Sequence, residues 1–191
     1  MIGIYIDINS FHYHEYILDV FIYGFALIAL ISLLISFNER NSSLHAWINV
    51  ILGHIFIMMS VSINSHIEIQ HLLMYLSSIL FFGLIGFLSI YKLKKAKKLI
   101  NLNEYHGNGK NHPKLSLLFL IACIGLIGFP ISPLYIAIDL LLTYIEKSQF
   151  LIMSFVGLSL IFVEISLLRI YTRLFCGMPI QSLTPVAFKS S

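Results

Sequence analysis

The stretch LSLLFLIACIGLIGFPISPLYIAIDLLLTYI, residues 115–145, decides the fold. It is apolar almost throughout and longer than the roughly 20 residues that cross a bilayer as a helix. Gly128-Phe129-Pro130-Ile131-Ser132-Pro133 interrupts it in the middle. Each proline lacks a backbone N–H, frees the carbonyl four residues upstream and disfavours helical geometry in the residue before it, here Phe129 and Ser132. In hydrocarbon such freed groups must find partners. A broken helix followed by an acid, Asp139, is one way to build an ion site at mid-membrane. A proline kink with a helix-end carboxylate is the plainer reading.

The composition sets the class. Hydrophobic residues make up 58% of the 191 and charged residues only 11%, with a mean hydropathy of +0.89. That balance excludes a soluble globular domain and points to an all-α integral membrane protein. The net charge of +3 comes mainly from one lysine cluster. No basic and aromatic interleaving of the kind that tracks a phosphate backbone is present, so no nucleic-acid partner is expected. Cys123 and Cys176 both lie in apolar segments, where cysteine behaves as a small hydrophobe. They argue for neither a disulfide scaffold nor a metal site. No basic leader precedes an apolar core and a cleavage site, so no signal peptide is expected.

Five apolar spans emerge, at 17–37, 46–64, 71–91, 115–145 and 149–175, and the fourth is the discontinuous one. The chain divides accordingly. An N-terminal non-cytoplasmic segment covers 1–16 and the first three transmembrane helices 17–91. A basic cytoplasmic loop follows at 92–114, then the broken helix and last span at 115–177, and a cytoplasmic tail at 178–191. The loop carries Lys92, Lys94, Lys95, Lys97, Lys98, Lys110 and Lys114. The positive-inside bias places it in the cytoplasm or matrix. Arg40, Arg169, Arg173 and Lys189 then also fall inside, and Lys147 alone of the 12 basic residues falls outside. Five crossings put the N-terminus outside and the C-terminus inside. From Tyr91 to Leu102, Leu93, Ala96, Leu99 and Ile100 recur at helical spacing with lysines opposite. Such a segment suits anionic lipid headgroups at Lys92–Lys98, and a plain topogenic loop would look similar.

Ionisable side chains within a bilayer are costly and usually face a bundle interior or a wet cavity. His54 lies midway along the second span, five residues after Asn49; a buried histidine tying two helices together competes there with a proton carrier. His71 opens the third span, where an interfacial role would also suffice. Glu146 and Lys147 sit in an outer turn. Glu164 lies inside the fifth span, with Arg169 and Arg173 toward its inner end, where arginines can snorkel. At that depth a glutamate is neutral or has a partner, and Asp139 and Arg169 are the candidates. His12-x-His14-Glu15 could chelate by chance, but no cluster has real metal-ligand spacing. No nucleophile elbow, phosphate loop or dinucleotide fingerprint is present, so neither catalysis nor a cofactor is expected of this chain alone.

From His71 to Gly177 the residues resemble the C-terminal part of the antiporter-like membrane subunits of respiratory complex I, membrane-bound hydrogenases and multisubunit sodium/proton antiporters. Carbon-concentrating membrane transporters that use a similar subunit belong to the same superfamily. The matches are His71 opening a helix, Gly107-x5-Pro113 before the broken helix, Gly128-Phe129-Pro130 with Asp139, and Arg173-x3-Gly177 closing the next helix. The resemblance implies one repeat of five helices with the fourth discontinuous, acting as a membrane subunit among other membrane subunits. It also implies a polar pathway drawing on Asp139, Glu164, His71, His54 and Tyr75, in an energy-transducing membrane of a bacterium or an organelle. Two positions depart from the family. Where it usually has a lysine or glutamate just before the acid, this chain has Ile138. Where it often has a lysine four residues after the histidine, this chain has Tyr75. Isoleucine carries no proton, and tyrosine, with a reference pKa near 10, carries one poorly. The alternative to transport is therefore a structural or assembly subunit that keeps the shape of the repeat.

Overall fold

A computed structural model describes the backbone of residues 2–64, 67–96, 101–146 and 149–177, and the side chains of all of these except 2–17 and Ala96. Every regular element among them is helical: α1 (Ile2–Asn38), α2 (Ser43–Asn64), α3 (Ile69–Ala96), the short α4 (Asn108–Asn111), α5 (Pro113–Ile127), α6 (Pro133–Thr143) and α7 (Phe150–Phe175). Four helices are long and apolar enough to cross a bilayer, namely α1 over Leu18–Asn38, α2, α3 over Ile69–Lys95, and α7. The chain is an all-helical integral membrane protein. Its outer surface is apolar, as at Leu80, Phe81, Leu84 and Ile161, while His54, Ser60, Ser159 and Ser166 are buried. That inversion suits lipid, where apolar side chains can face outward and polar atoms find one another inside.

Side-chain bonds fix the direction of each helix. Ser36 Oγ donates to the Ala46 carbonyl at one end of the α1–α2 pair, and Ser60 Oγ donates to the Ile22 carbonyl toward the other. The Asn64 and Gln149 amides exchange two 2.8 Å hydrogen bonds, joining the end of α2 to the start of α7. The start of α5 meets the end of α3 where His112, Pro113 and Leu115 face Lys92 and Leu93. The end of α6 meets the start of α3 where Tyr144 bonds His71. Helices α5 and α6 therefore run in succession antiparallel to α3, against which both pack.

The break between α5 and α6 has local causes. Gly128 adopts a left-handed φ of 78° and closes α5 by donating to the Ile124 carbonyl, a conformation that glycine takes without strain. Pro133 occupies the first turn of α6, where no N–H is needed, and Ser132 Oγ accepts from the Tyr135 N–H at 3.3 Å. At 1.5 Å per residue α5 is about 22 Å long and α6 about 16 Å, each shorter than a hydrocarbon core of roughly 30 Å.

Two expectations are refined. The segment before residue 17 continues the helix, because α1 begins at Ile2; the side chains of His12, His14 and Glu15 lie outside the described residues. Helix α3 carries Lys92, Lys94 and Lys95 in its last turns, rather than leaving them to a loop, while Lys97, Lys98, Lys147 and the tail at 178–191 lie outside the described residues. The loop then returns tightly: Leu102 N–H donates to the Arg40 carbonyl, His106 N–H to Arg173 and Gly107 N–H to Cys176.

Close approach is made possible by glycine. A Cβ at Gly86 would lie 1.9 Å from Trp47 Cζ2. That indole is fully buried, donates from Nε1 to the Gly83 carbonyl at 2.9 Å and packs on Phe119 with ring centroids 4.9 Å apart. We expect Gly86→Ala to cost about 1–3 kcal/mol through overpacking, seen as a lower unfolding temperature in detergent. Gly24→Ala, with nothing within 4 Å, should leave that temperature unchanged or higher.

Candidate functional site

His54 and Tyr75 meet in the middle of the bundle. Both are buried, on α2 and α3, and His54 Nδ1 lies 3.0 Å from the Tyr75 hydroxyl. The bond runs in either direction according to the imidazole tautomer. His54 Nε2 is buried without a hydrogen bond of good geometry. On the α5 side, the Leu126 backbone lies close enough to act on the ring. Leu126 is four residues before Pro130, so its carbonyl has no helical donor. The Phe129 carbonyl, deprived in the same way by Pro133, accepts from Ser132 N–H at 2.7 Å instead.

Ser159 shares that level. Counting about ten residues inward from the Asn64–Gln149 tie along antiparallel α2 and α7 brings His54 and Ser159 to the same depth at 1.5 Å per residue. Ser159 and, further along, Ser166 are fully buried and neither hydroxyl has a hydrogen-bond partner among the described residues. Ser32, Ser62, Ser78, Ser89 and Ser154 behave differently and bond the carbonyl four residues back. The two unpaired serines were missed in the sequence; their seven-residue spacing on the buried face of α7 was the available signal.

A second polar group stands at the end of the bundle opposite the basic one. His71 Nδ1 lies 2.9 Å from the Tyr144 hydroxyl, and that oxygen accepts from the Glu68 N–H at 3.4 Å. His71 Nε2 is 3.8 Å from Glu68 Oε2. His71 and Tyr75 are four residues apart on α3 and so share a helix face. A ladder of Glu68, His71 with Tyr144, then Tyr75 with His54, runs from the end of the bundle to its middle. Beyond His54 toward the basic end lie Trp47, Phe119 and Phe175, whose rings pack in sequence.

The two carboxylates expected at membrane depth are not part of this ladder. Asp139 on α6 and Glu164 on α7 are both exposed on the outside of the bundle. Glu164, near the middle of α7, forms no hydrogen bond or ion pair among the described residues. Neither of its two candidate partners, Asp139 and Arg169, bonds it. Arg169 donates to the Phe37 carbonyl and its guanidinium lies 5.5 Å from the centre of the Phe37 ring. Ile138 packs against the core, and its Cδ1 lies 2.8 Å from where a Cβ on Gly128 would be. It therefore covers the break. Among the described residues no three His, Cys, Asp or Glu side chains converge as a metal site would require.

Two distant sequence motifs come together at the basic end. The loop around Gly107, which adopts φ 58°, bonds the end of α7 through His106 and Gly107. Asn108 Nδ2 donates to the Leu174 carbonyl at 2.9 Å. The Arg173 guanidinium lies 4.3 Å from the centre of the Tyr105 ring, and a Cβ at Gly177 would strike Tyr105 Cβ at 2.8 Å.

Tyr75→Phe leaves His54 without its partner in an apolar interior and should cost about 1–3 kcal/mol. Thermal unfolding in detergent measures this. His54→Leu combined with Tyr75→Phe should cost less than the two single changes added together, because each single change orphans the other group.

No family model matches the chain, and no curated protein is significantly similar to it.

Proposed function

We propose that this chain is a membrane subunit of a proton- or cation-translocating complex, resembling one repeat of an antiporter-like subunit. The observation that carries the reading is the polar ladder from Glu68 through His71, Tyr144 and Tyr75 to His54, which ends beside the freed carbonyl of Leu126. Imidazole, phenol and carboxylate groups within a turn of one another can pass protons once water bridges them. The aromatic packing of Trp47, Phe119 and Phe175 closes the way beyond His54, so the ladder forms a half-path. In this reading α5 and α6 together make the fifth crossing. Arg40, Lys92, Lys94, Lys95, Lys110, Lys114, Arg169 and Arg173 gather at one end, which the positive-inside bias puts on the cytoplasmic or matrix side.

The outward carboxylates supply the partner. A charged group on a lipid-facing helix centre costs about 2.5–3.5 kcal/mol on insertion scales. Burying Glu164 against a neighbouring subunit that offers a hydrogen-bond donor removes that cost. Lateral contact also gives the half-path a continuation, and Asp139 on α6 provides a second acid for it.

A second reading, a structural subunit without transport, is favoured by Ile138 lying over the break. The two separate by flux. Purified with whatever copurifies and reconstituted in liposomes, the complex should lose most of its proton or sodium flux with His54→Phe or Glu164→Gln, and Ile138→Glu should raise it. Unchanged flux in the first two variants, with the complex intact by size, would leave the structural reading standing.

A further inference from the structure

We propose that Arg40, Arg169 and Arg173 form a binding site for a phosphate group, either free or carried as the headgroup of an anionic phospholipid. The three line one cavity of about 250 Å³ at the basic end of the bundle, with Phe37, Leu102 and Asn103. They come from two distant parts of the chain, Arg40 from the α1–α2 turn and Arg169 and Arg173 from successive turns of α7, held under the returning loop. The loop is drawn over the cavity by Leu102 N–H, which donates to the Arg40 carbonyl at 2.7 Å. Arg173 Nη1 donates to the Asn103 carbonyl at 3.0 Å and its guanidinium lies against Tyr105. Arg169 donates to the Phe37 carbonyl and rests on that ring.

Each α7 guanidinium is thus anchored by one hydrogen bond and one aromatic face. An arginine has five N–H donors, so most remain for a ligand. Charge points the same way. Arg173 and Arg40 are like charges close enough to act on Arg169, and Glu39 is the opposing one. Glu39 is already engaged, since its Oε1 accepts from the N–H groups of Asn41 and Ser42 at 2.8 and 3.2 Å. Three cations against one acid leave a local excess that an oxyanion would offset. Rigidly held guanidinium forks match phosphate oxygens in geometry as well as charge. The ends of α1 and α7 place the cavity at headgroup depth. The site is distinct from the lysines at 92–95, which lie on α3 and do not line it.

The test uses the full chain purified in mild detergent, with unfolding temperature read against added phosphatidylglycerol, phosphatidylcholine or inorganic phosphate. A ligand of the folded state raises that temperature by mass action. Phosphatidylglycerol should raise it by several degrees and phosphatidylcholine should not. Arg40→Gln should weaken the apparent affinity about tenfold, and Arg40→Gln with Arg173→Gln about a hundredfold, taking about 1.4 kcal/mol for each charged hydrogen-bond donor lost. Changing Lys92, Lys94 and Lys95 to Gln should leave it unaltered. A shift with phosphatidylglycerol alone identifies a lipid headgroup; a shift with inorganic phosphate as well identifies a free-phosphate site. Should the double variant fail to fold, Arg40→Gln, whose side chain is exposed, decides alone. An equal shift in wild type and Arg40→Gln, loss of the shift in the lysine variant instead, or no shift with either phosphate compound would overturn the proposal.

Discussion

A backbone polar group buried away from water needs a partner within the chain, and the break at 128–132 is where this constraint shapes the molecule. Pro130 and Pro133 remove two donors from an apolar stretch. The Phe129 carbonyl finds the Ser132 N–H, and Gly128 and Ser132 cap the two half-helices. The Leu126 carbonyl is left to the interior, and the buried His54 stands beside it. The histidine and the break thus belong to one arrangement, although more than seventy residues separate them.

Around that centre the bundle is held by close contact more than by charge. Leu33 lies against Gly53, the Trp47 indole against Gly86 and the Phe82 ring against Gly125. With no water to drive apolar faces together, association in a bilayer relies on packing and on small residues that let helices approach. At the basic end, backbone bonds from the Gly107 loop take up carbonyls at the end of α7, which a helix terminus leaves unsatisfied. The Gly107 loop and the end of α7 are joined by these bonds although more than sixty residues separate them in sequence.

Much of this was legible in order along the chain. The hydropathy of α1, α2, α3 and α7, the discontinuity at Gly128–Pro133 and the lysines after Tyr91 all follow from local composition and proline chemistry. Candidate residues were legible only by type. His54 and Tyr75 could be singled out as polar groups at membrane depth, but their 3.0 Å bond joins two helices. Tyr144 and Ser159 were not legible as site residues, since a tyrosine near a helix end and a serine in a span are ordinary in isolation. Asp139 and Glu164 were expected to look inward because buried charge needs a partner. The rotation of α6 and α7, set by which faces of Ala137, Leu141, Val163 and Leu167 enter the core, turned both acids outward.

By itself, then, the sequence determined what each segment can be: apolar periods long enough to span, a proline pair that cannot continue a helix, and cations gathered near particular ends. These are properties of residues and their immediate neighbours. Tertiary structure alone decided which polar atoms meet, which acids face away from the bundle and that Arg40 shares one cavity with the distant Arg169 and Arg173 of α7. Those outcomes depend on the rotation and depth of each helix against its neighbours, and these are fixed by the packing of side chains from different spans.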